Sequence, residues 1–343
     1  MIRYNEDMSF AIGPIHDAAI WENFITTYSP QSLFQSWLWG VVQEKSGHKL
    51  WRFGLFDNQK LAAIFQITKV IARRGSYLHI RHGPIVNKQQ PHIWKIVIGK
   101  LKRLAHIEHA WFIRISPLID DSLVHRKLLQ SMGFRPSATH EVDGERCWLL
   151  NLDPPLETLL KNMRKTTRYE IRRAQTLGVI VEKSKNISDL SVFHKLYEIT
   201  SMRHGFVPHK GIDIEFEEFT SKDRALLLLG RYEGNVVAAA IILFYGNQAI
   251  YHHSASIPSN IPANYLIQWE AIREAKRRGL PIYNFWGIAP ENSPHHPWLG
   301  LTHFKKGFGG RQLQYIHAHD LPLSPLYHIT RSIEAVHRVR GGY

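Results

Sequence analysis

The chain repeats itself, and the repeat constrains everything else. Residues 226–239 (LLLLGRYEGNVVAA) follow the same plan as residues 51–63 (WRFGLFDNQKLAA): a strand, a tight turn, then a strand opening on two alanines. In both places the sequence predicts a further strand (77–82 and 249–254), a helix (92–106 and 265–278) and a closing strand (110–115 and 282–286). Met132-Gly133-Phe134 is echoed late by Lys306-Gly307-Phe308. A supersecondary unit met twice in this order implies two tandem copies of one α/β (α+β) module, each a mixed, mostly antiparallel sheet flanked by helices. The expected boundaries are 1–146, 147–322 and a terminal helix in 323–343 that docks on the first module. A length of 343 residues is enough for two cores.

Other segments fill in the plan. Ala18, Ala19, Trp21, Phe24 and Ile25 recur at helical spacing within 15–28. The aromatics of 32–43 suit a second helix, with Trp37 and Trp39 either in the core or on the lip of a pocket. Arg73-Arg74-Gly75 reads as a turn, and Gly133 as the cap of helix 123–132. In the second copy Asp153 and Pro154 read as N-cap and first residue of a helix running to Gly178. Along it Lys161, Arg164, Lys165, Arg168 and Arg172 are spaced to share one face, opposed only by Glu157 and Glu170. Such a stripe is either a solvated face or a grip on a phosphate backbone. A helix over 190–203 ends in Arg203-His204-Gly205-Phe206.

Lys and Arg number 43 against 29 Asp and Glu, a net charge of +14. That excess favours a polyanionic partner: RNA, DNA, anionic lipid or a phosphorylated substrate. No apolar run reaches the length of a membrane span. Residues 1–7 do not read as a signal peptide, and Cys147 alone cannot form an internal disulfide. The expected location is the cytoplasm, with peripheral contact at the inner face of the plasma membrane as an option.

The module order, helix-helix-hairpin-strand-helix-strand-helix, resembles the GNAT acyltransferase fold. In that fold a glycine-rich turn before a helix cradles the pyrophosphate of acetyl-CoA. Here those places hold Pro84-Ile85-Val86-Asn87 and residues 256–262 (SIPSNIP), which disfavours acetyl-CoA as donor. The doubled modules together with four motifs resemble the Fem family of tRNA-dependent aminoacyltransferases that build peptidoglycan cross-bridges. The motifs are residues 35–40 (QSWLWG), 163–174 (MRKTTRYEIRRA), Arg203-His204-Gly205-Phe206, and 283–288 (YNFWGI) followed by Phe304-Lys305-Lys306-Gly307-Phe308.

The resemblance implies an aminoacyl-tRNA donor, a peptidoglycan precursor as acceptor (lipid II or UDP-MurNAc-pentapeptide) and no further cofactor or metal. It implies that Lys305 stabilises the tetrahedral oxyanion or grips the tRNA terminus, with Phe304 packed beside it. It also implies that Arg203 binds a phosphate of the precursor. Tyr251 and His253, on a strand expected to face the same cleft, are candidates for acceptor contacts. Arg164, Lys165, Arg168, Arg172 and Lys306 are candidates for tRNA. Where the family can place a lysine four residues after its early tryptophan (here Trp39) stands Gln43, with Lys45 nearby as the candidate instead. The family's aspartate in Tyr-Asp-Phe is here Asn284, which cannot act as a base, and the coiled-coil arm of some members is missing.

Aminolysis of an aminoacyl ester is downhill, so the enzyme's task is positioning and charge stabilisation; one oxyanion donor contributes roughly 3–4 kcal/mol. No His/Asp or His/Glu pair has the spacing of a general base, so the substrate or a water would relay the proton. Gly-x-Ser-x-Gly is absent. His317 and His319 could sit on one face of a strand as metal ligands do, without cysteine support. Two alternatives stay open: a GNAT-type N-acyltransferase using acyl-CoA or acting on a protein N-terminus, and a non-catalytic RNA- or membrane-binding protein.

Overall fold

The computed structural model describes residues 10–72, 75–141 and 143–343; the turn expected at Arg73 and Arg74 and the segment 1–7 lie outside them. The chain forms two compact units, residues 1–145 with 314–343, and residues 146–313.

The first unit opens with β1 (Phe10–Pro14), α1 (Ala18–Tyr28) and α2 (Trp37–Lys45). The Asp17 carboxylate accepts from the amides of Ala19 and Ile20, and the Ser36 hydroxyl accepts from that of Trp39, so each helix start is capped. The hairpin of β2 (Leu50–Asp57) and β3 (Lys60–Ala72) turns through Asn58 and Gln59, both at positive φ. That two-residue turn matches the twist of its strands. Next come β4 (Gly75–Arg81), β5 (Ile85–Val86), α3 (Pro91–Ile107), β6 (Phe112–Ser116), α4 (Leu123–Ser131) and β7 (Arg135–Pro136). α3 buries Trp94, Val97, Ile98 and Leu101 in the core of this sheet.

The second unit runs β8 (Arg146–Asn151), α5 (Leu156–Asn162), α6 (Lys165–Thr176), β9 (Ile180–Ser184), α7 (Leu190–His204) and α8 (Ile212–Thr220). It continues with β10 (Ala225–Tyr232), β11 (Asn235–Tyr245), β12 (Gln248–Ser256), α9 (Ala263–Arg277), β13 (Ile282–Gly287), α10 (Leu299–Lys306) and β14 (Arg311–Gln314). Its sheet has the order β14-β8-β13-β12-β11-β10-β9. The chain then re-enters the first unit with β15 (His319–Pro322), which pairs β6 and β7, and α11 (Tyr327–Arg340). The first sheet is ordered β1-β2-β3-β4-β6-β15-β7, with β5 on β3.

The repeat holds to the level of single residues. The second hairpin turns through Glu233 and Gly234, again both at positive φ. Three residues beyond each turn sits a bulge: Ala62 lies between the pairs Leu55↔Ala63 and Phe56↔Leu61, and Val237 between Gly230↔Ala238 and Arg231↔Val236. By this register Ala62 and Ala63 correspond to Val237 and Ala238, one residue out of step with the paired alanines of the sequence.

Three expectations change. The helix expected from Asp153 to Gly178 is two helices. The first starts after Pro155, which makes no side-chain cap, and the chain is extended at Met163 and Arg164 between them. The stripe is therefore broken, and Lys161 no longer shares a helix with Lys165, Arg168 and Arg172. The second module ends at Leu313, not 322, because β15 finds its partners in the first sheet. Gly133 and Gly307 are not geometric twins: Gly133 has φ +92, whereas Gly307 is helical at φ −63. Phe134 and Phe308, which follow them, are both core residues.

Candidate active site

The cleft is made by two parallel strands that stop pairing. β12 and β13 are in register for Gln248↔Ile282, Ala249↔Tyr283 and Ile250↔Asn284, and part there. Beyond that point β12 stays on β11 as far as Ser256, and β13 stays beside β8, with Gly287 opposite Cys147. Each strand carries an irregularity where they separate. His252 is the extra residue of a bulge on β12, between Ile242↔Tyr251 and Ile241↔His253. On β13 the register with β8 shifts between Asn284 and Gly287, and Trp286 has φ +64. A bulge bends and twists its strand, so two facing bulges hold the gap open. Asn284 builds the β13 kink: its amide nitrogen donates to Gln248 Oε1 at 3.0 Å, and its Oδ1 accepts from the Trp286 amide at 2.8 Å.

Lys305, on the last turn of α10, reaches this gap. Its Nζ donates to the Gly287 carbonyl at 2.5 Å and lies 6.0 Å from the centre of the Tyr251 ring. The residue is only 4% exposed, and among the described residues no carboxylate pairs with it. Burial lowers its pKa to about 7. The Cys147 thiol is pushed up to about 12, chiefly by burial, so it supplies no thiolate. The chemistry available is an ammonium in a low-dielectric place beside a strand end, able to meet developing negative charge.

The glycines around Lys305 serve packing. A Cβ on Gly307 would stand 2.3 Å from Thr167 Oγ1, and one on Gly310 would stand 2.3 Å from the Leu149 carbonyl oxygen. Their absence of side chain lets the turn after α10 press against α6 and β8. That closeness brings basic groups together. Arg164 Nη1 donates to His303 Nε2 at 2.6 Å and to the His303 carbonyl at 3.2 Å, and the Arg164 amide donates to the Gly307 carbonyl at 2.9 Å. Lys306 lies over the Trp148 ring at 5.2 Å. Lys165 and Arg172 are exposed on α6, and Arg168 bonds to the Lys161 carbonyl. The link between Arg164 and the turn after α10 had no signal in the sequence, since 139 residues separate Arg164 from His303.

The remaining candidates fall in different places. Phe304 packs edge-on against Tyr265 and Phe308, as part of the core under the site. Tyr251 and His253 do not face the same way. The bulge at His252 interrupts the alternation, so Tyr251 joins the core on the Lys305 side while His253 turns to α7 and α8. Arg203 Nη2 donates to Ser256 Oγ at 3.1 Å, at the far end of β12. Trp39 is buried against Phe34 in the first unit, and Lys45 is exposed in the last turn of α2. His317 and His319 form no shared ligand set: His317 meets Glu145, and His319 Nδ1 bonds the His317 carbonyl. Sequence reading missed Glu215, a buried carboxylate between His252 and His253.

The FemAB family model matches residues 17–213 and 215–335. The chain belongs to the FemAB family. It is 20% identical over 395 aligned residues to the lipid II:glycine glycyltransferase of Staphylococcus epidermidis, covering 93% of this chain and 94% of that protein. A shorter stretch of 96 residues is 29% identical to the aminoacyltransferase FemA of the same species, covering 27% of this chain and 21% of FemA. Among solved structures, FemX superposes with a TM-score of 0.80 at 18% identity, over 93% of this chain and 99% of FemX. A tandem GNAT protein from the clavulanic acid pathway superposes at 0.62 and 10% identity, over 93% and 99%. The fold is thus the tandem GNAT-like one, and the named relatives are aminoacyl-transferring enzymes.

Proposed function

We propose that this FemAB protein moves an amino acid from aminoacyl-tRNA to the stem-peptide amine of a lipid-linked peptidoglycan precursor. The observation that carries the reading is Lys305, a buried lysine with no carboxylate partner among the described residues, held by the Gly287 carbonyl at the mouth of the β12–β13 gap. The acceptor amine attacks the ester carbonyl, a C–N bond forms, and the C–O bond to the terminal ribose breaks. The amine proton passes to the departing ribose oxygen through substrate or water. The Lys305 ammonium lies where it can offset the negative charge of the tetrahedral intermediate, in a setting that strengthens the interaction. Arg164 bonds to the turn after α10, Lys306 follows Lys305 on that helix, and Lys165 and Arg172 are exposed on α6; these cations suit the phosphates of the tRNA.

α11 favours a lipid-linked acceptor over a nucleotide-linked one. Leu326, Ile329, Ile333 and Val336 recur at i, i+3, i+7 and i+10, and Val339 extends the stripe. Ile329, Val336 and Val339 are 50%, 49% and 77% exposed. The charged residues beside the stripe are basic: Arg331, Arg338 and Arg340. The helix's one acid, Glu334, is buried against Arg114. An apolar face rimmed by arginine suits an anionic bilayer surface, where each nearby cation adds about 1 kcal/mol. No helix among the described residues is long and apolar enough to cross a membrane.

The test is transfer of a labelled amino acid from a pool of charged tRNAs, with lipid II in phosphatidylglycerol vesicles or UDP-MurNAc-pentapeptide in solution as acceptor. RNase-sensitive transfer to the vesicle-borne acceptor is expected. Ile329→Asp with Val336→Asp should lower that transfer and leave any transfer to the soluble acceptor unchanged. RNase-insensitive transfer from acyl-CoA would replace this reading with the GNAT one.

A further inference from the structure

A buried cluster on the opposite face of β12 from Lys305 takes no part in this chemistry. His252 and His253 are adjacent in sequence, and on a regular strand adjacent side chains point to opposite faces. The β12 bulge sends both toward α8. There His252 Nε2 lies 3.1 Å from Glu215 Oε1, and His253 Nε2 lies 3.5 Å from the same oxygen. One atom from each of the three residues falls within 4.8 Å of the other two. The His209 ring stands 5.5 Å from that of His253, on the outer side of the cluster.

Glu215 is 6% exposed, and its ion-pair partners among the described residues are the two imidazoles alone. A carboxylate taken out of water without a cation costs several kcal/mol. The first turn of α8, where Glu215 sits, offers at most about half a charge. Asp143 in the first unit shows the ordinary solution: it too is buried, and the Arg81 guanidinium donates to it at 2.7 Å. Glu215 has no such group. Two imidazole nitrogens and one carboxylate oxygen are the donor set of open zinc sites. Bonds of about 2.0–2.1 Å at tetrahedral angles would set ligand atoms about 3.3 Å apart, close to the two separations seen.

We propose that Glu215, His252 and His253 bind one divalent transition-metal ion of the zinc class, which ties the β12 bulge to α8. The site is independent of the transfer reading and would stand if that reading failed.

The experiment uses the full chain, stripped with chelator and titrated with Zn²⁺ alone. One equivalent per chain is expected by calorimetry and by metal analysis after dialysis. The melting temperature should rise as that equivalent is added. Cobalt substitution should give the intense visible absorption of a tetrahedral site, a readout that needs no variant. Glu215→Gln and His252→Gln should each abolish the stoichiometric binding and the cobalt spectrum. His328→Gln with His337→Gln, on exposed α11, should change neither. The proposal is overturned if the wild-type chain retains no metal, or if binding survives in Glu215→Gln. It is equally overturned if nitrogen-15 NMR shows His252 doubly protonated at neutral pH with zinc present, which would make the cluster a simple ion pair.

Discussion

In the first module β4 and β6 stay paired from Tyr77↔Phe112 to Arg81↔Ser116. In the second module the counterpart strands β12 and β13 separate after three residue pairs. The hairpins that precede them match in turn and bulge position, so the shared plan reaches to within one strand of the difference. What changes is the next strand: β4 pairs with β3 without interruption, whereas β12 carries the His252 bulge. The closed end holds a buried carboxylate with a guanidinium partner. Asp143 accepts from Arg81 Nε at 2.7 Å and from Ser116 Oγ at 2.5 Å, and His82, its pKa lowered to about 4 by burial, bonds the Asp143 carbonyl. The open end holds an unmatched lysine. In one copy a buried carboxylate is paired with a guanidinium; in the other a buried lysine meets a backbone carbonyl and, among the described residues, no carboxylate.

Exchanging the polar groups tests that contrast most directly. Lys305→Met should reduce transfer by about 10²–10³-fold, the usual loss for one oxyanion donor, and should raise the melting temperature, because a lone buried amine is removed. Unchanged transfer with intact tRNA binding would end the assignment of Lys305. The pH behaviour sharpens the same point. The folded chain releases the Lys305 proton near pH 7, while an unfolded lysine holds it to about 10.5. Stability should therefore rise with pH across that window. Transfer, measured as kcat/KM, should fall above about pH 7 as the ammonium is lost. Both trends should vanish in Lys305→Met.

The opposite outcome is expected in the first module. Arg81→Met leaves the buried Asp143 carboxylate without its guanidinium and should destabilise by about 3 kcal/mol, measured by urea unfolding, with little change in kcat. A large loss of kcat without a loss of stability would mean that the closed module takes part in chemistry.

The smallest effect concerns phosphate binding. α1 carries no Lys or Arg, whereas α6 exposes Lys165 and Arg172. Lys165→Glu with Arg172→Glu should weaken tRNA binding and reduce its salt slope by about 1 for each cation removed. Filter binding across a salt series would show it. A slope left unchanged would make α6 a solvated face.

The chain alone determined a good deal. Strand alternation, turn residues and helical spacing are local, and a pattern met twice at matching spacing announces two modules before any coordinate is known. The motifs around Trp39, Arg164, Arg203 and Lys305 led to the FemAB family, which the family match then showed. Boundaries and faces were another matter. The break at Met163 follows from the Arg164 amide bonding to Gly307, a partner 143 positions away. β15 left the second module because its hydrogen-bond partners lie in β6. Tyr251 and His253 look like neighbours on one face by period-two counting, and a single extra residue in β12 separates them. Burial completes the list, since only packing decides that Lys305 loses water and that Glu215 meets two imidazoles. Local chemistry set the elements and the family; long-range pairing and the loss of solvent decided which side chains meet and what charge they carry.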